Sequence, residues 1–319
     1  MEDKIAVIIP VKNEEESIVD LLDSLLDQTH KPDEIVITDG GSKDATVKII
    51  EEYVARGYPI KLIKTAHAYP GKARNLAVES SSCELIAMTD AGIKPDKNWL
   101  KELLRPLEEG QDLDVVYGNY EPVTDTFFKE CLAIVFVPAQ KAIGGAKMRA
   151  HFIASSLIKK TVWKSVGGFP DFRAAEDRIF MERIDAGGFK IGFAPQAAVL
   201  WDIPRDFRST FRRFSLYSMH DIIAGRFNDW HRAVISMYLA GSVIAVLGAL
   251  FSPAWFALLG TLLFLRSDKL ILEKCKEPPV SYLADVKRFL PVTAIMLWID
   301  LAMFHGMARY LAGGWKKEY

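Results

Sequence analysis

Residues 5–39 read IAVIIPVKNEEESIVDLLDSLLDQTHKPDEIVITD, and the alternation inside this stretch decides the fold class. "IAVIIP" is a short, unbroken apolar run, as expected of a strand covered on both faces. After it, Ile18, Leu21, Leu22, Leu25 and Leu26 fall on one face of a helix. "DEIVITD" is a second apolar run of strand length. Two apolar strands joined by an amphipathic helix make a parallel crossover unit.

The same rhythm continues C-terminally. "DATVKIIEEYVARG" reads as a helix stopped by Gly57, with Asp44 as its expected N-cap. "IKLIK" is a short strand, "GKARNLAVES" a helix and "CELIAMTD" a strand. "KNWLKELLRPLEEG" is a helix and "DVVYGNY" a strand. The expectation is an α/β domain with a mostly parallel sheet and helices on both faces. Ligands of such sheets sit outside the carboxyl ends of the strands. Pro10 to Glu14, Asp39 to Ser42 and Asp90 all fall there. Gly40 and Gly41 would let backbone approach a ligand. No G-x-G-x-x-G and no Walker lysine loop follows the first strand, which argues against dinucleotide and P-loop chemistry.

The composition fits one large domain with additions: 319 residues, 50% hydrophobic, 25% charged, formal net charge -1. A near-zero charge gives no global case for a nucleic-acid partner. Three widely spaced cysteines, Cys83, Cys131 and Cys275, suggest a reducing compartment and no disulfide framework. The N-terminal apolar run is too short for a signal peptide. The C-terminal third differs in character. From Ala233 to Leu265 there is no charged residue or histidine; as one helix it would extend about 50 Å, against a hydrocarbon core of about 30 Å. "LFSPAW" breaks it at Ser252-Pro253. A second run, Phe289 to Phe304, carries only Asp300. These runs are expected to insert in a membrane, with a polar loop from Arg266 to Arg288 between them. Basic residues in that loop, and Lys316 and Lys317 in the tail, favour a cytoplasmic side for each.

Four motifs, in order, resemble family 2 glycosyltransferases of the GT-A fold: "IIPVKNEE", "VITDGGSKDAT", "GKARNLAVESSSCELIAMTDAGIKPDKNWL" and "VWKSVGGFPDFRAAEDRIFMERIDAGGFKIGFAPQAAV". The resemblance covers roughly Ile5 to Asp221. It implies inverting transfer from a nucleoside diphosphate sugar. By resemblance, Pro10, Asn13, Glu14 and Asp39 line the base and ribose pocket. Gly71, Arg74 and Asn75 help hold the nucleotide, Asp90 lies near ribose or diphosphate, and Asp177 is the catalytic base. The family usually carries a second acid where Gly92 stands, and that acid commonly binds Mg²⁺ or Mn²⁺. Asp90 as a metal ligand, and the metal itself, are therefore left open. "FRRFSLYSMHD" matches the family's Gln-x-x-Arg-Trp-like segment only loosely, so Arg212 and Arg213 are read as diphosphate contacts, as part of a basic amphipathic helix at a membrane surface, or as both.

Inverting transfer needs a base for the acceptor hydroxyl and positive charge for the leaving diphosphate. Asp177 opens a helix, where the dipole favours an ionised carboxylate; Glu176 is the alternative base. The expected organisation is a GT-A domain over 1–204, a basic juxtamembrane segment over 205–231 and membrane-anchoring helices over 232–319. The catalytic domain would face the cytoplasm and act on a lipid-linked saccharide or other membrane-associated glycan. Rival readings are a polyprenyl-phosphate glycosyltransferase, whose acceptor needs little base help, and a non-catalytic membrane scaffold retaining a sugar-nucleotide fold.

Overall fold

The computed structural model describes residues 4–143, 146–274 and 282–317. Two compact units divide the chain, one formed by 1–123 with 140–202, the other by 124–139 with 203–319.

The first unit is α/β. Its elements begin β1 (Ile5–Val11), α1 (Ile18–Leu26), β2 (Glu34–Asp39), α2 (Thr46–Ala55), β3 (Ile60–Lys64), α3 (Pro70–Ser80) and β4 (Leu85–Met88). The expected strand-helix alternation is thus present. Ala45, one residue beyond Asp44, stands at the N-cap of α2, while the Asp44 carboxylate accepts the Thr46 N–H at 3.1 Å. Then come β5 (Ile93–Pro95), α4 (Trp99–Glu108) and β6 (Val115–Pro122). β1 is parallel to both β2 and β4, and β2 is parallel to β3. Burial on both sides explains the unbroken apolar runs: Ile5 to Ile9 and Ile35 to Ile37 are all fully buried.

Beyond the hairpin of β7 (Lys141–Ile143) and β8 (Ala146–Met148), the sheet is completed from the C-terminal side of the unit. β9 (Ser156–Lys159) inserts antiparallel between β4 and β6. α6 (Lys160–Ser165), α7 (Glu176–Ala186) and β10 (Ile191–Trp201) follow. The eight-stranded order is β3-β2-β1-β4-β9-β6-β10-β5. β10 runs parallel to β6 with a register shift between Phe193 and Ala198. Gly118 allows that bulge, because a Cβ there would stand 2.5 Å from the Ala197 carbonyl oxygen. Trp201 lies in an aromatic cluster, its ring 5.9 Å from Tyr120 and 5.7 Å from Phe152.

The second unit is helical among its described residues: α5 (Phe127–Phe136), α8 (Phe207–Ile223), α9 (His231–Leu250), α10 (Ala254–Lys274), α11 (Tyr282–Leu311) and a short 3₁₀ turn at Gly314–Lys317. α9 stops at Leu250, before the expected Ser252-Pro253 break. The expected polar loop from Arg266 to Arg288 is mostly helix: α10 runs on to Lys274 and α11 begins at Tyr282. Only 275–281 remain of it, and these, with Cys275, lie outside the described residues. The charged stretch continues α10 because Arg266 finds a partner. Its guanidinium grips Asp300 at 2.5 and 2.9 Å, and the Tyr238 hydroxyl donates to the same carboxylate at 3.1 Å.

α8 packs along α11. Trp298 donates to the Phe207 carbonyl at 2.7 Å, and Ser218 donates to the Met303 carbonyl at 2.8 Å. Gly306 permits the approach; a Cβ there would meet the Ser215 carbonyl oxygen at 2.4 Å. α8 is therefore half buried, with Thr210, Phe214, Ser218 and Met219 inside, Arg208 and Arg212 exposed and Arg213 intermediate; Arg205, just before the helix, is exposed too. In sequence 124–139 lies within the expected 1–204 block. In space its apolar helix α5 belongs with 203–319.

Among the described residues two helices are long and apolar enough to cross a membrane, His231–Leu250 and Lys287–Leu311. Only 6% of the apolar window of the first is buried inside the protein, against 39% for the second. The first therefore leaves most of its apolar side chains exposed or half-buried, with Val234, Ile235, Ile244 and Leu247 among the half-buried ones.

Candidate functional site

β2, β1 and β4 are adjacent and parallel, so their carboxyl ends share one edge of the sheet. Pro10, Asn13 and Glu14 follow β1, Asp39 closes β2, and Asp90 lies two residues past β4.

The first two loops are laced together. Asn13 takes a left-handed backbone, φ 56°, which asparagine tolerates better than most residues. Its N–H donates to the Ser42 hydroxyl and its Oδ1 accepts from the Lys43 N–H, each at 2.8 Å. Glu14 N–H donates to the Thr46 hydroxyl at 2.8 Å. Asp39 is buried, and its carboxylate accepts from the Gly41 and Ser42 amides at 3.0 and 3.1 Å. Gly40 and Gly41 admit backbone, as the sequence suggested, but it is the chain's own. Added Cβ atoms would stand 2.5 Å from the Ala68 carbonyl oxygen and 2.4 Å from that of Ala66.

Asp90 projects from the edge with its side chain about 30% exposed. Its Oδ1 accepts from the Arg74 guanidinium at 2.6 Å. Gly92 has φ 76° with no atom within 4 Å of a Cβ position. Space for a second acid exists there; a left-handed backbone disfavours most side chains, aspartate less than others. Among the described residues no group of three or more His, Cys, Asp or Glu is placed to hold a metal ion. Asp90 is a single carboxylate with one oxygen already engaged. These side chains alone do not make a cation site.

The fourth contributor is α7. Glu176 is buried while Asp177 beside it is partly exposed, its Oδ1 accepting the Arg178 N–H at 2.7 Å. Arg74, 3% exposed, reaches Glu176 Oε1 at 2.8 Å with its other terminal nitrogen. One guanidinium therefore joins the end of β4 to the start of α7. Burial, then the charge of Asp177, pushes the Glu176 carboxyl up to about 8, with Arg74 opposing. For Arg74, burial works against its charge, but Asp90, Glu176 and Asp177 outweigh it and raise its pKa.

Gly71, Arg74 and Asn75 were expected to hold the nucleotide; within the protein they contact the segment 163–176, and Arg74 also contacts Asp90. A Cβ on Gly71 would stand 2.2 Å from the Pro170 carbonyl oxygen. Asn75 donates to the Phe169 carbonyl at 2.8 Å and accepts from the Phe169 amide and the Trp163 indole, both at 2.9 Å. Sequence reasoning passed over Trp163 and Phe169. Phe169 stacks on Phe180 of α7 at 3.8 Å between ring centroids. Gly167 and Gly168 in "GGFP" were the available signal. Arg212 and Arg213 lie on α8 of the second unit.

Residues 6–155 match the profile described as Glycosyl transferase family 2. Glycosyltransferase AglE of Haloferax volcanii is 26% identical over 197 residues, 60% of this chain and 64% of that one. The O-antigen chain rhamnosyltransferase RfbN of Salmonella typhimurium is 26% identical over 223 residues, covering 66% and 70%. Glycosyltransferase GlyA of Streptococcus pneumoniae is 32% identical over 120 residues, 38% of this chain but 17% of that one. The chain spans less than two thirds of the length of AglE and GlyA. Among solved structures, mannosyltransferase PcManGT from Pyrobaculum calidifontis, in complex with GDP-Man and Mn²⁺, aligns with TM-score 0.63 at 19% identity, over 98% of this chain and 88% of that one. Staphylococcus aureus TarS 1-349 in complex with UDP-GlcNAc aligns with TM-score 0.51 at 20% identity, over 92% and 90%. At such identities the likeness is one of fold. Residues 6–155 thus carry a match to the family 2 glycosyltransferases, and the fold is the GT-A fold of these neighbours.

Proposed function

We propose that this protein is a membrane-anchored inverting glycosyltransferase that takes a sugar from a nucleoside diphosphate sugar. The observation that carries the reading is the Arg74 bridge, which ties Asp90 at the strand edge to the Glu176-Asp177 pair at the start of α7. Asp90, Asn13, Glu14 and Asp39 serve the donor side. Asp177 serves the acceptor side as general base, and its partial exposure suits a group that must meet a hydroxyl. Arg212 and Arg213 meet the leaving diphosphate. The acceptor is a lipid-linked saccharide or another membrane-associated glycan, because α9 and α11 hold the chain at a bilayer. The catalytic unit faces the cytoplasm, where nucleotide sugars are made.

The test is turnover of a panel of nucleoside diphosphate sugars by detergent-purified full-length protein, with thermal shift read in parallel. A bound donor at 100 times its Kd should stabilise the protein by about 2.7 kcal/mol. Absence of both turnover and shift across the panel would leave a non-catalytic scaffold. A chelator arm addresses the metal. Activity lost in chelator and restored by Mn²⁺ would show a cation held by Asp90 with the diphosphate, and Gly92→Asp should then lower the Mn²⁺ concentration needed. Full activity in chelator would leave Arg212 and Arg213 as the stabilising charges.

The membrane reading predicts that full-length protein pellets with membranes and is released by detergent, not by high salt or carbonate. Release by salt alone would make the attachment electrostatic and overturn the anchor. The full chain is the right material, because cutting near Arg232 would strip α11 from α8.

A further inference from the structure

We propose that α3 is the positioning element of the acceptor-side base: Arg74 couples Asp90 to Glu176 and so fixes Asp177, while Gly71 and Asn75 seat the segment that leads into α7. This rests on the reading of Asp177 as the base.

The three α3 residues use one another's geometry. Gly71 brings α3 against the Pro170 backbone, where any side chain would collide. Asn75 satisfies three groups of the same segment, two of Phe169 and one of Trp163. Arg74 then meets Glu176, the first residue of α7. The turn before α7 needs such support. Ala175 has φ 68°, a left-handed backbone unfavourable for an alanine, and it persists only where the surroundings hold it. Asp177 is two residues further on. The planar guanidinium donates to two carboxylates at once, which an ammonium on a single stem does less well. Two short charged hydrogen bonds of 2.6 and 2.8 Å thereby tie the end of β4 to the start of α7. Arg74 touches neither reacting atom in this scheme; it acts through Asp177.

The experiment measures kcat and donor KM for Arg74→Met and Arg74→Lys, each alone and combined with Asp177→Asn, on the full chain with the sugar nucleotide found by the panel. Kd for UDP and GDP is taken by calorimetry. Arg74→Met should lower kcat by about 10²-fold, the cost of a misplaced catalytic group, with nucleotide Kd unchanged. Arg74→Lys should recover part of the loss. In the Asp177→Asn background Arg74→Met should lower kcat no further, because residues acting as a unit are not additive. Equal losses in both backgrounds would overturn the proposal, as would a weakened Kd with kcat kept, which makes Arg74 a nucleotide ligand. If Arg74→Met does not fold, Glu176→Gln, which keeps the shape, is put through the same pair of backgrounds and judged by the same rule. Normal turnover in Asp177→Asn would sink the base assignment and this coupling together. Lost turnover there with normal turnover in Arg74→Met would sink the coupling alone.

Discussion

Asp177→Asn should lower kcat by about 10²- to 10⁴-fold, the usual worth of a general base, or roughly 3 to 5 kcal/mol of barrier. The substitution keeps the side-chain shape and removes the proton acceptor. Nucleotide affinity should hold, because Asp177 lies at the start of α7 and Asp90, on the far side of Arg74, is the carboxylate at the strand edge. Glu176→Gln is the control and should cost less. Glu176 is buried and already engaged by Arg74, so it is placed to hold the helix start and not to meet an acceptor. The readouts are kcat for both variants beside nucleotide Kd by calorimetry. An Asp177→Asn protein with near-normal kcat would point to an acceptor that needs no base, such as a polyprenyl phosphate. Lost nucleotide binding without a further loss of turnover would move Asp177 to the donor side.

Asp300→Ala should destabilise the helical unit by about 3 to 5 kcal/mol, the cost of leaving a mostly buried charge without its partner. The Asp300 side chain is 4% exposed and accepts from Arg266 through two hydrogen bonds and from Tyr238 through a third. Three helices, α9, α10 and α11, meet on this carboxylate. Arg266→Met with Asp300→Leu removes both charges at similar volume and should restore much of the stability, since a buried pair replaced by apolar groups is often neutral. Denaturant unfolding of the detergent-solubilised chain, followed by tryptophan fluorescence, measures both. If Asp300→Ala unfolds with the wild type, or the double variant is no better than the single, the pair does not hold the unit together.

The first half of the sheet was legible because its signals are local. β1 and β4 are apolar throughout, β2 is apolar from Ile35 to Ile37, and α1 has leucines at helical spacing. Each feature arises from burial that repeats within a few residues. β9 was not legible: the short strand Ser156–Lys159 is held by antiparallel pairing with β4 on one side and β6 on the other, partners distant in sequence. The α5 segment shows the same limit. Its apolar composition announces burial but does not name the partner, and the structure assigns it to the helices that follow 203.

The site divides along the same line. By itself the sequence determined the α/β class, the strand edge bearing Asn13, Asp39 and Asp90, the helix opening at Glu176 and Asp177, and the long apolar stretches at the C-terminus. These follow from residue type and period over short windows. Only the tertiary structure decided that the glycines after Asp39 make room for the chain's own 66–68, that Gly71 and Asn75 serve the Phe169 loop, and that Arg74 spans 102 residues of sequence to reach Glu176. It also turned the expected loop after Arg266 into helix, because Asp300 supplies the partner that lets a cation stay among apolar helices. A hydrogen bond or ion pair depends on where two distant residues meet, and spacing along the chain carries no record of that meeting.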